Sequence, residues 1–222
     1  MDSSNITHSN TADGSSTLHS AKFGSHYHSI NGAITESQHI FIEAGFKSMD
    51  VNKISILEVG FGTGLNAALT AQIAYLKRIQ VNYHSLELYP LSDDEYQLLN
   101  YSTILPDDTA RQWEAICKSE WDKTVKISEY FSIEKINADF TSWIPKSTYH
   151  LVYFDAFAPN DQPEMWAQDQ FEKIYRAMHV GGTLVTYSVK GIVKNALIQS
   201  GFTIERLPGP PGKLHILRAK KI

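Results

Sequence analysis

Glycines and acids that follow short apolar runs are the residues of this sequence best suited to chemistry. Residues 58–66 read EVGFGTGLN, in which an apolar run leads into Gly60, Gly62 and Gly64 and then into a segment with helical periodicity. Glycines allow a tight turn and let the backbone approach a ligand closely, and the free N–H groups at the start of a helix attract negative charge. The segment therefore predicts a ligand-binding turn between a strand and a helix.

The spacing of these glycines distinguishes two classes of ligand. A dinucleotide site has the pattern G-x-G-x-x-G/A, but Leu65 stands where the third small residue would fall when counted from Gly60. The pattern present, E-x-G-x-G-x-G, begins at Glu58, includes Thr63 and leads to Asn66, and it is typical of enzymes that use S-adenosylmethionine. We favour such a site over a dinucleotide site or a purely structural turn, because three glycines at alternate positions exceed what a turn needs.

Three further acids stand where apolar runs end. Glu87 lies roughly twenty residues beyond the glycines, a position from which a carboxylate can accept hydrogen bonds from ribose hydroxyls. Asp139 follows a short β-like run and is a candidate acceptor for an adenine amino group; a solvated surface acid is the alternative at both positions. Asp155 ends the run LVYF, where an unpaired acid is costly, so we expect it to have a function.

Alternating apolar runs and helix-like segments predict an α/β fold from about position 50 onward. Predicted strands span 54–60, 81–88, 124–131, 149–157, 183–188, 202–207 and 214–220, and predicted helices span 64–78, 92–101, 163–178 and 189–200. The segment PGPPG at 208–212 is too short for a crossover, so the last two strands should pair antiparallel in a seven-stranded, mostly parallel sheet. Ligands bind beyond the carboxyl ends of parallel strands, which would bring the glycines and the acids together.

The N-terminal segment carries a hairpin signal. Asp13 and Gly14 stand between β-forming residues at 6–7 and 17–18, and Asp-Gly favours a type I′ turn because both central residues must accept a positive φ. We therefore divide the chain into a hairpin-bearing extension at 1–48, on the substrate side, and a ligand-binding domain at 49–222.

The composition limits the class of protein. A chain of 222 residues with 42% hydrophobic and 20% charged residues fits a globular protein with one core. Cys117 is the single cysteine, and His26 and His28 lack a third ligand at short spacing, so we expect neither a disulfide nor a metal site.

The sequence shows no signal peptide and no apolar run of about 18 residues, so we expect a cytoplasmic protein without a membrane partner. A net charge of −4 opposes broad charge-driven nucleic-acid binding but allows a local basic patch.

Four parts of the sequence resemble the methyltransferase domain of the bacterial tRNA 5-methylaminomethyl-2-thiouridine biosynthesis proteins, the MnmC-like family. They are EVGFGTGLNAALT, YFDAFAPNDQPEMW, HYHSINGAITESQHIFIEAGF and, at the end of the chain, GGTLVTYS with SGFTIERLPGPPGKLHILRA. The resemblance covers about residues 6–220 and implies a class I S-adenosylmethionine-dependent methyltransferase fold of the Rossmann-like type. It implies N-methylation of 5-aminomethyl-(2-thio)uridine at the tRNA wobble position.

The resemblance also implies roles for individual residues. Asp155 would face the substrate amine as the catalytic residue. The cofactor would be bound by Glu58, Gly60, Gly62, Thr63, Gly64, Asn66, Glu87 and Asp139, and the substrate by Tyr27, Ser29, Glu36, Phe157, Pro159, Lys190 and Lys213. Glu87 would hold the ribose and Asp139 the adenine end.

The implied partners are the anticodon stem-loop of tRNA and a separate enzyme, either an oxidase or the supplier of the aminomethyl precursor. Larger members of the family carry an FAD-dependent oxidase domain, and we expect a monofunctional methyltransferase without flavin here. Lys213 alone remains of a charged run that relatives carry near the last hairpin. Basic residues at 190, 194, 206, 213 and 218 either form a rim around the cleft or are scattered over the surface.

Two alternatives remain open. The first is an enzyme of the same fold with another substrate, either a small-molecule N-methyltransferase or an aminopropyltransferase, which the negative charge slightly favours. The second is a non-catalytic module that binds tRNA or protein, which the intact acids oppose.

Overall fold

A small antiparallel sheet opens the computed structural model, which describes residues 6–222. Within these residues its strands are β1 (Ile6–Asn10), β2 (Ser16–Ser20) and β3 (Ser25–His26). The predicted hairpin is confirmed, since Ile6 pairs with Ser20 and Asn10 with Ser16. The predicted type I′ turn is wrong: residues 11–15 form a longer loop in which Gly14 has a φ of +82° and Asp13 has no positive φ. Asp13 is held there by side-chain bonds from Thr11 and Thr35.

The chain then enters α1 (Ala33–Ser37), which continues as a π-helical turn (Gln38–Glu43) and a 3₁₀ turn (Phe46–Ser48). Phe41 and Phe46 from these turns, and Leu18 from β2, are buried in the same apolar cluster as strand residues of the large sheet. The N-terminal segment is therefore packed onto the large sheet through a shared core.

Eight strands form the large sheet in the described part of the chain, one more than the sequence predicts. They are β4 (Lys53–Val59), β5 (Gln80–Glu87), β6 (Thr124–Lys126), β7 (Phe131–Asn137), β8 (Tyr149–Phe154), β9 (Met178–Thr186), β10 (Thr203–Pro208) and β11 (His215–Lys220), in the order β10-β11-β9-β8-β4-β5-β7-β6. The strands from β9 to β7 in this order are parallel, and both edges are antiparallel. The α/β class and the antiparallel C-terminal hairpin are confirmed.

The helices that cover this sheet follow the predictions in part. They are α2 (Leu65–Lys77), α3 (Asp93–Gln97), α4 (Tyr101–Ile104), α5 (Asp107–Lys118), α6 (Gln168–Arg176) and α7 (Gly191–Gln199). A capping box of Ser92 and Glu95 begins α3, but the predicted helix at 92–101 divides into α3 and α4. The helix predicted over 163–178 is a 3₁₀ turn (Pro163–Trp166) followed by α6, and Met178 already begins β9.

The strand predicted over 124–131 is wrong. Its first residues form the edge strand β6, the chain turns, and Phe131 then begins β7, which lies beside β5. Strand β7 alternates buried and less buried residues, but its third buried position is Lys135, at 1% exposure. Because lysine is rarely buried, it hides the alternation by which a strand is recognised in sequence.

Apolar residues from the two faces of the sheet form two clusters. Ile54 and Ile56 of β4 belong to one, and Leu57 and Val59 belong to the other, because side chains alternate across a strand. Among residues 6–222 no helix is long and apolar enough to span a bilayer, and no group of three metal-ligating side chains is assembled there.

Candidate active site

A cavity of about 390 Å³ opens at the carboxyl ends of β4, β5, β7 and β8, with β3 and α1 closing one side. Eleven of the residues that the sequence assigns to the site line it. They are Tyr27, Ser29, Glu36, Gly60, Gly62, Thr63, Glu87, Asp139, Asp155, Phe157 and Lys213. Tertiary structure thus collects residues from both ends of the chain at the edge where ligands of open α/β sheets bind.

The glycine loop between β4 and α2 has a backbone that side chains rarely allow. Gly60, Gly62 and Gly64 have φ values of +94°, +50° and +74°. A Cβ atom on Gly60 would lie 2.6 Å from the carbonyl oxygen of Asp155, and one on Gly62 would lie 3.0 Å from the ring of Tyr27. The glycines are therefore required by close approach as well as by conformation.

Two side chains from other elements form hydrogen-bond contacts with Thr63 of this loop. The Trp113 indole on α5 donates to the carbonyl of Thr63 at 2.9 Å. The Thr63 hydroxyl lies 2.7 Å from Nε2 of His28, a residue just beyond β3. Burial lowers the pKa of His28 to about 4, so this ring is neutral at pH 7. Helix α5 and the contact from His28 are absent from the sequence prediction; the only local signal is that His28 lies within the segment HYHS.

Glu87 ends β5 beside the glycine loop. Its Oε2 accepts the Gly62 N–H at 3.0 Å and its Oε1 accepts the Tyr89 N–H at 2.9 Å. Burial raises the pKa of this carboxyl, and the backbone donors oppose the rise. Each carboxylate oxygen has two lone pairs, so a ribose hydroxyl can still bind on the cavity side.

Asp139 follows β7 on the same side of the cavity. Its Oδ1 accepts the Thr141 N–H at 2.8 Å and the Thr141 hydroxyl at 2.7 Å. The carboxylate is therefore oriented by a local turn instead of being free in solvent.

Asp155 follows β8 and is oriented by a buried amide. Asn66, in the first turn of α2, donates through Nδ2 to Oδ2 of Asp155 at 2.8 Å. Burial raises the pKa of Asp155 well above its usual range, and the negative charge of Glu36 adds to the rise. Oδ1 of Asn66 has no hydrogen-bond partner within residues 6–222. Asn66 is thus oriented toward Asp155, which leaves Oδ1 of that carboxyl for a ligand.

Five residues that the sequence assigns to ligand binding do not line the cavity: Glu58, Gly64, Asn66, Pro159 and Lys190. Glu58 is completely buried beneath the glycine loop, where Ser85 donates to its Oε2 at 2.6 Å. Burial raises the pKa of Glu58 to about 8, so the neutral acid dominates at pH 7. Lys190 follows β9 and is exposed at the N-terminus of α7, and Pro159, in the segment after β8, is buried.

Aromatic side chains line the mouth of the cavity, and two of them were not predicted from the sequence. Phe23 stacks on Phe157 with ring centroids 4.4 Å apart, and Tyr27 meets the edge of Phe157 at 5.1 Å. Tyr187, just after β9, donates its hydroxyl to the carbonyl of Ala156 at 2.8 Å. Tyr187 lies within the strand predicted over 183–188, and the sequence gives it no role in the site.

These observations fit S-adenosylmethionine. The glycine turn lets the backbone approach a ligand without side chains, Glu87 and Asp139 offer fixed acceptors at neighbouring strand ends, and most of the cavity surface is apolar. This donor and acceptor set suits the ribose and adenine parts of the molecule.

Comparisons with known proteins agree with this fit. A family model described as S-adenosyl-L-methionine-dependent methyltransferase matches residues 107–222, more than half of the chain. The chain is 30% identical over 216 residues to the tRNA 5-methylaminomethyl-2-thiouridine biosynthesis bifunctional protein MnmC of Nitrosospira multiformis, covering 90% of this chain and 35% of that protein. It is 27% identical to the protein of that name from Methylobacillus flagellatus, covering 90% and 33%. The chain thus spans about a third of the length of these curated relatives.

Solved structures with a similar fold include two informative examples. The crystal structure of MNMC2 from Aquifex aeolicus has a TM-score of 0.83 and 26% identity, covering 99% of this chain and 71% of that chain. A probable spermidine synthase from Corynebacterium glutamicum, at a TM-score of 0.54 and 17% identity over 99% and 77% of the two chains, shares the fold. The predicted class I fold and S-adenosylmethionine as cofactor are confirmed. The chain belongs to the family of S-adenosyl-L-methionine-dependent methyltransferases.

Proposed function

We propose that this protein methylates the primary amine of 5-aminomethyl-(2-thio)uridine at the wobble position of tRNA, giving 5-methylaminomethyl-(2-thio)uridine. The observation that carries the proposal is Asp155, held by Asn66 in the same cavity as the glycine loop. The names of the MnmC relatives support the choice of substrate.

Asp155 has the properties needed to receive a proton from an amine. When bound, S-adenosylmethionine supplies an electrophilic methyl group. The amine must be neutral to attack, whereas alkyl ammonium groups resemble lysine, with a pKa near ~10. Because burial raises the pKa of Asp155, the carboxylate form of this residue is more basic than that of an exposed aspartate. Asp155 would orient the amine through Oδ1 and take its proton, a contribution of about 10²- to 10⁴-fold to the rate.

The mouth of the cavity supports an unstacked base as the substrate. Sequence-specific RNA recognition uses single-stranded bases that stack on aromatic side chains. Phe23 and Phe157 form a stacked pair at the mouth, suited to a base that leaves the anticodon loop. The proposed partner is therefore the anticodon stem-loop. A separate enzyme, either an oxidase or the supplier of the aminomethyl group, would make the precursor, and the reaction would take place in the cytoplasm.

The test is methyl transfer to defined tRNAs. The purified protein is incubated with methyl-labelled S-adenosylmethionine and tRNA that carries 5-aminomethyl-2-thiouridine, and nucleosides are analysed by mass spectrometry. We expect label in 5-methylaminomethyl-2-thiouridine and none with the matched tRNA that has an unmodified wobble uridine. In a parallel incubation with polyamines added, label in polyamines but not in tRNA would support a small-molecule N-methyltransferase. Failure to bind S-adenosylmethionine would support a non-catalytic module.

A further inference from the structure

An ion pair between distant parts of the chain lies inside the cavity. Nζ of Lys213, in the turn between β10 and β11, is 2.6 Å from Oε1 of Glu36 on α1. The side chains are 28% and 11% exposed, and both line the cavity that holds Asp155. The pair thus places a primary alkyl ammonium group of the protein itself in the same cavity as the candidate catalytic acid.

Glu36 is fixed by the backbone and forms with Lys213 an ion pair that is not aligned as a hydrogen bond. Its Oε2 accepts the Ser29 N–H at 2.8 Å, which fixes the carboxylate. Its Oε1 has no directed hydrogen bond in the described part of the chain, so the contact with Lys213 is a charge attraction of poor angular geometry. A well-placed ammonium would bind Oε1 more strongly, because hydrogen bonds to charged groups depend on direction.

The groups around the ion pair favour a positive charge, whether it belongs to Lys213 or to a ligand. Nζ of Lys213 lies 5.4 Å from the centre of the Tyr187 ring, within the range of a cation–π interaction. The negative charge of Glu36 raises the pKa of Asp155, and the positive charge of Lys213 lowers it. The ammonium group therefore contacts one carboxylate, lies near an aromatic ring and interacts electrostatically with a second carboxyl group.

Lys213 can leave without unfolding its turn. Its backbone N–H donates to the carbonyl of Pro210 at 2.9 Å, and Gly209 donates to the carbonyl of Leu214 at 3.0 Å. The next residue, Leu214, is 88% exposed, so the Lys213 side chain lies close to solvent. Rotation of the four-carbon side chain alone would take the ammonium from Glu36 to water.

We propose that Lys213 occupies the amine site until the ammonium group of a substrate displaces it from Glu36. The proposal rests on the proposed function only in taking an amine as the nucleophile. Glu36 then binds the incoming ammonium and Asp155 receives its proton, while Lys213 prevents two carboxylates from facing each other without a cation. A substrate without a positive charge would not displace Lys213, which makes the pair a filter for amines.

The test measures binding of two probes, butylammonium and the nucleoside 5-aminomethyluridine, by ligand-observed NMR. Removing an internal competitor raises apparent affinity, so Lys213→Met should bind butylammonium about three- to tenfold more tightly than the wild type. Glu36→Gln should bind it about tenfold more weakly, and Lys213→Met in the Glu36→Gln background should give no gain. Lys47→Met is the matched control, because Lys47 forms an exposed pair with Glu43 at the same distance of 2.6 Å. Thermal unfolding of each variant verifies that it is folded.

The outcomes separate this proposal from the proposed function. If butylammonium follows the expected pattern and the nucleoside does not bind, the amine site stands and the tRNA nucleoside is wrong. If Lys213→Met weakens binding of either probe, Lys213 contacts the substrate directly and the displacement proposal is wrong. Equal binding of butylammonium by all variants also overturns it.

Discussion

The two ends of the cavity are built by different means. At the end where we propose that the cofactor binds, called the cofactor end, backbone groups set the geometry: glycines with positive φ form the turn, and Glu87 is fixed by N–H groups of Gly62 and Tyr89. At the nucleophile end, side chains set the geometry: Asn66 orients Asp155, and Lys213 pairs with Glu36.

This difference predicts different responses to substitution. A backbone-built site fails when a side chain enters space that the main chain needs, whatever the charge of that side chain. A site built from side chains keeps its shape after an isosteric change and loses only the charge or the proton. Four predictions test this contrast.

The largest effect is expected for Gly60→Ala. The new Cβ would lie 2.6 Å from the Asp155 carbonyl, and a φ of +94° is strained for alanine. We expect loss of measurable methyl transfer and of calorimetric binding of S-adenosylhomocysteine. Gly181→Ala is the control, because Gly181 has a φ of +81° but nothing within 4 Å of the added atom. It should lose about 1–2 kcal/mol of stability from strain and retain binding. Equal binding by both variants would contradict the close-approach argument.

Asp155→Asn should lower kcat by about 10²- to 10⁴-fold. The asparagine carbonyl can still accept from Asn66, so the affinity for S-adenosylhomocysteine should change little. Steady-state kinetics and calorimetry measure the two quantities separately. Asp169→Asn, at an exposed position on α6, should leave both unchanged. A parallel loss of affinity would identify Asp155 as a cofactor residue.

Glu58→Gln should change the pH dependence of stability. The pKa of Glu58 is about 8 in the fold against an ordinary 4.5, so between these values the folded chain binds more protons than the unfolded chain. Stability therefore falls as pH rises through this window. Glutamine cannot ionise, so the fall from pH 6 to 8 should be smaller by about 1–2 kcal/mol in the variant. Denaturant unfolding at the two pH values measures this change in the free energy of unfolding. An equal change in the wild type and the variant would contradict burial of a titrating Glu58.

Glu87→Gln should raise the dissociation constant of S-adenosylhomocysteine by about tenfold, because one charged acceptor becomes a neutral amide. The kcat should stay nearly constant at saturating cofactor. Glu95 is not a suitable control because it caps α3; Glu164→Gln, an exposed change in the 3₁₀ turn, serves instead. A fall in kcat without a change in affinity would indicate that Glu87 acts on the nucleophile and does not bind the cofactor.

Local sequence located the glycine turn but not several elements around it. The turn joins β4 to α2 over a few residues, so its place in the fold and that of Glu87 at the end of β5 could be predicted from spacing. Strand β7 was misplaced because Lys135 occupies a buried position, and α5 was missed although its Trp113 holds the loop.

The sequence by itself determined the alternation of helix and strand, the glycine turn after β4 and the acids at the strand ends, because each depends on residues a few positions apart. Tertiary structure alone decided which of those acids reach the cavity: Glu58 is excluded and Glu87 is not, since burial is set by what packs above each strand end. It also decided that Lys213, and not Lys190, joins the site, because its contact with Glu36 spans almost the whole chain and leaves no trace in local spacing.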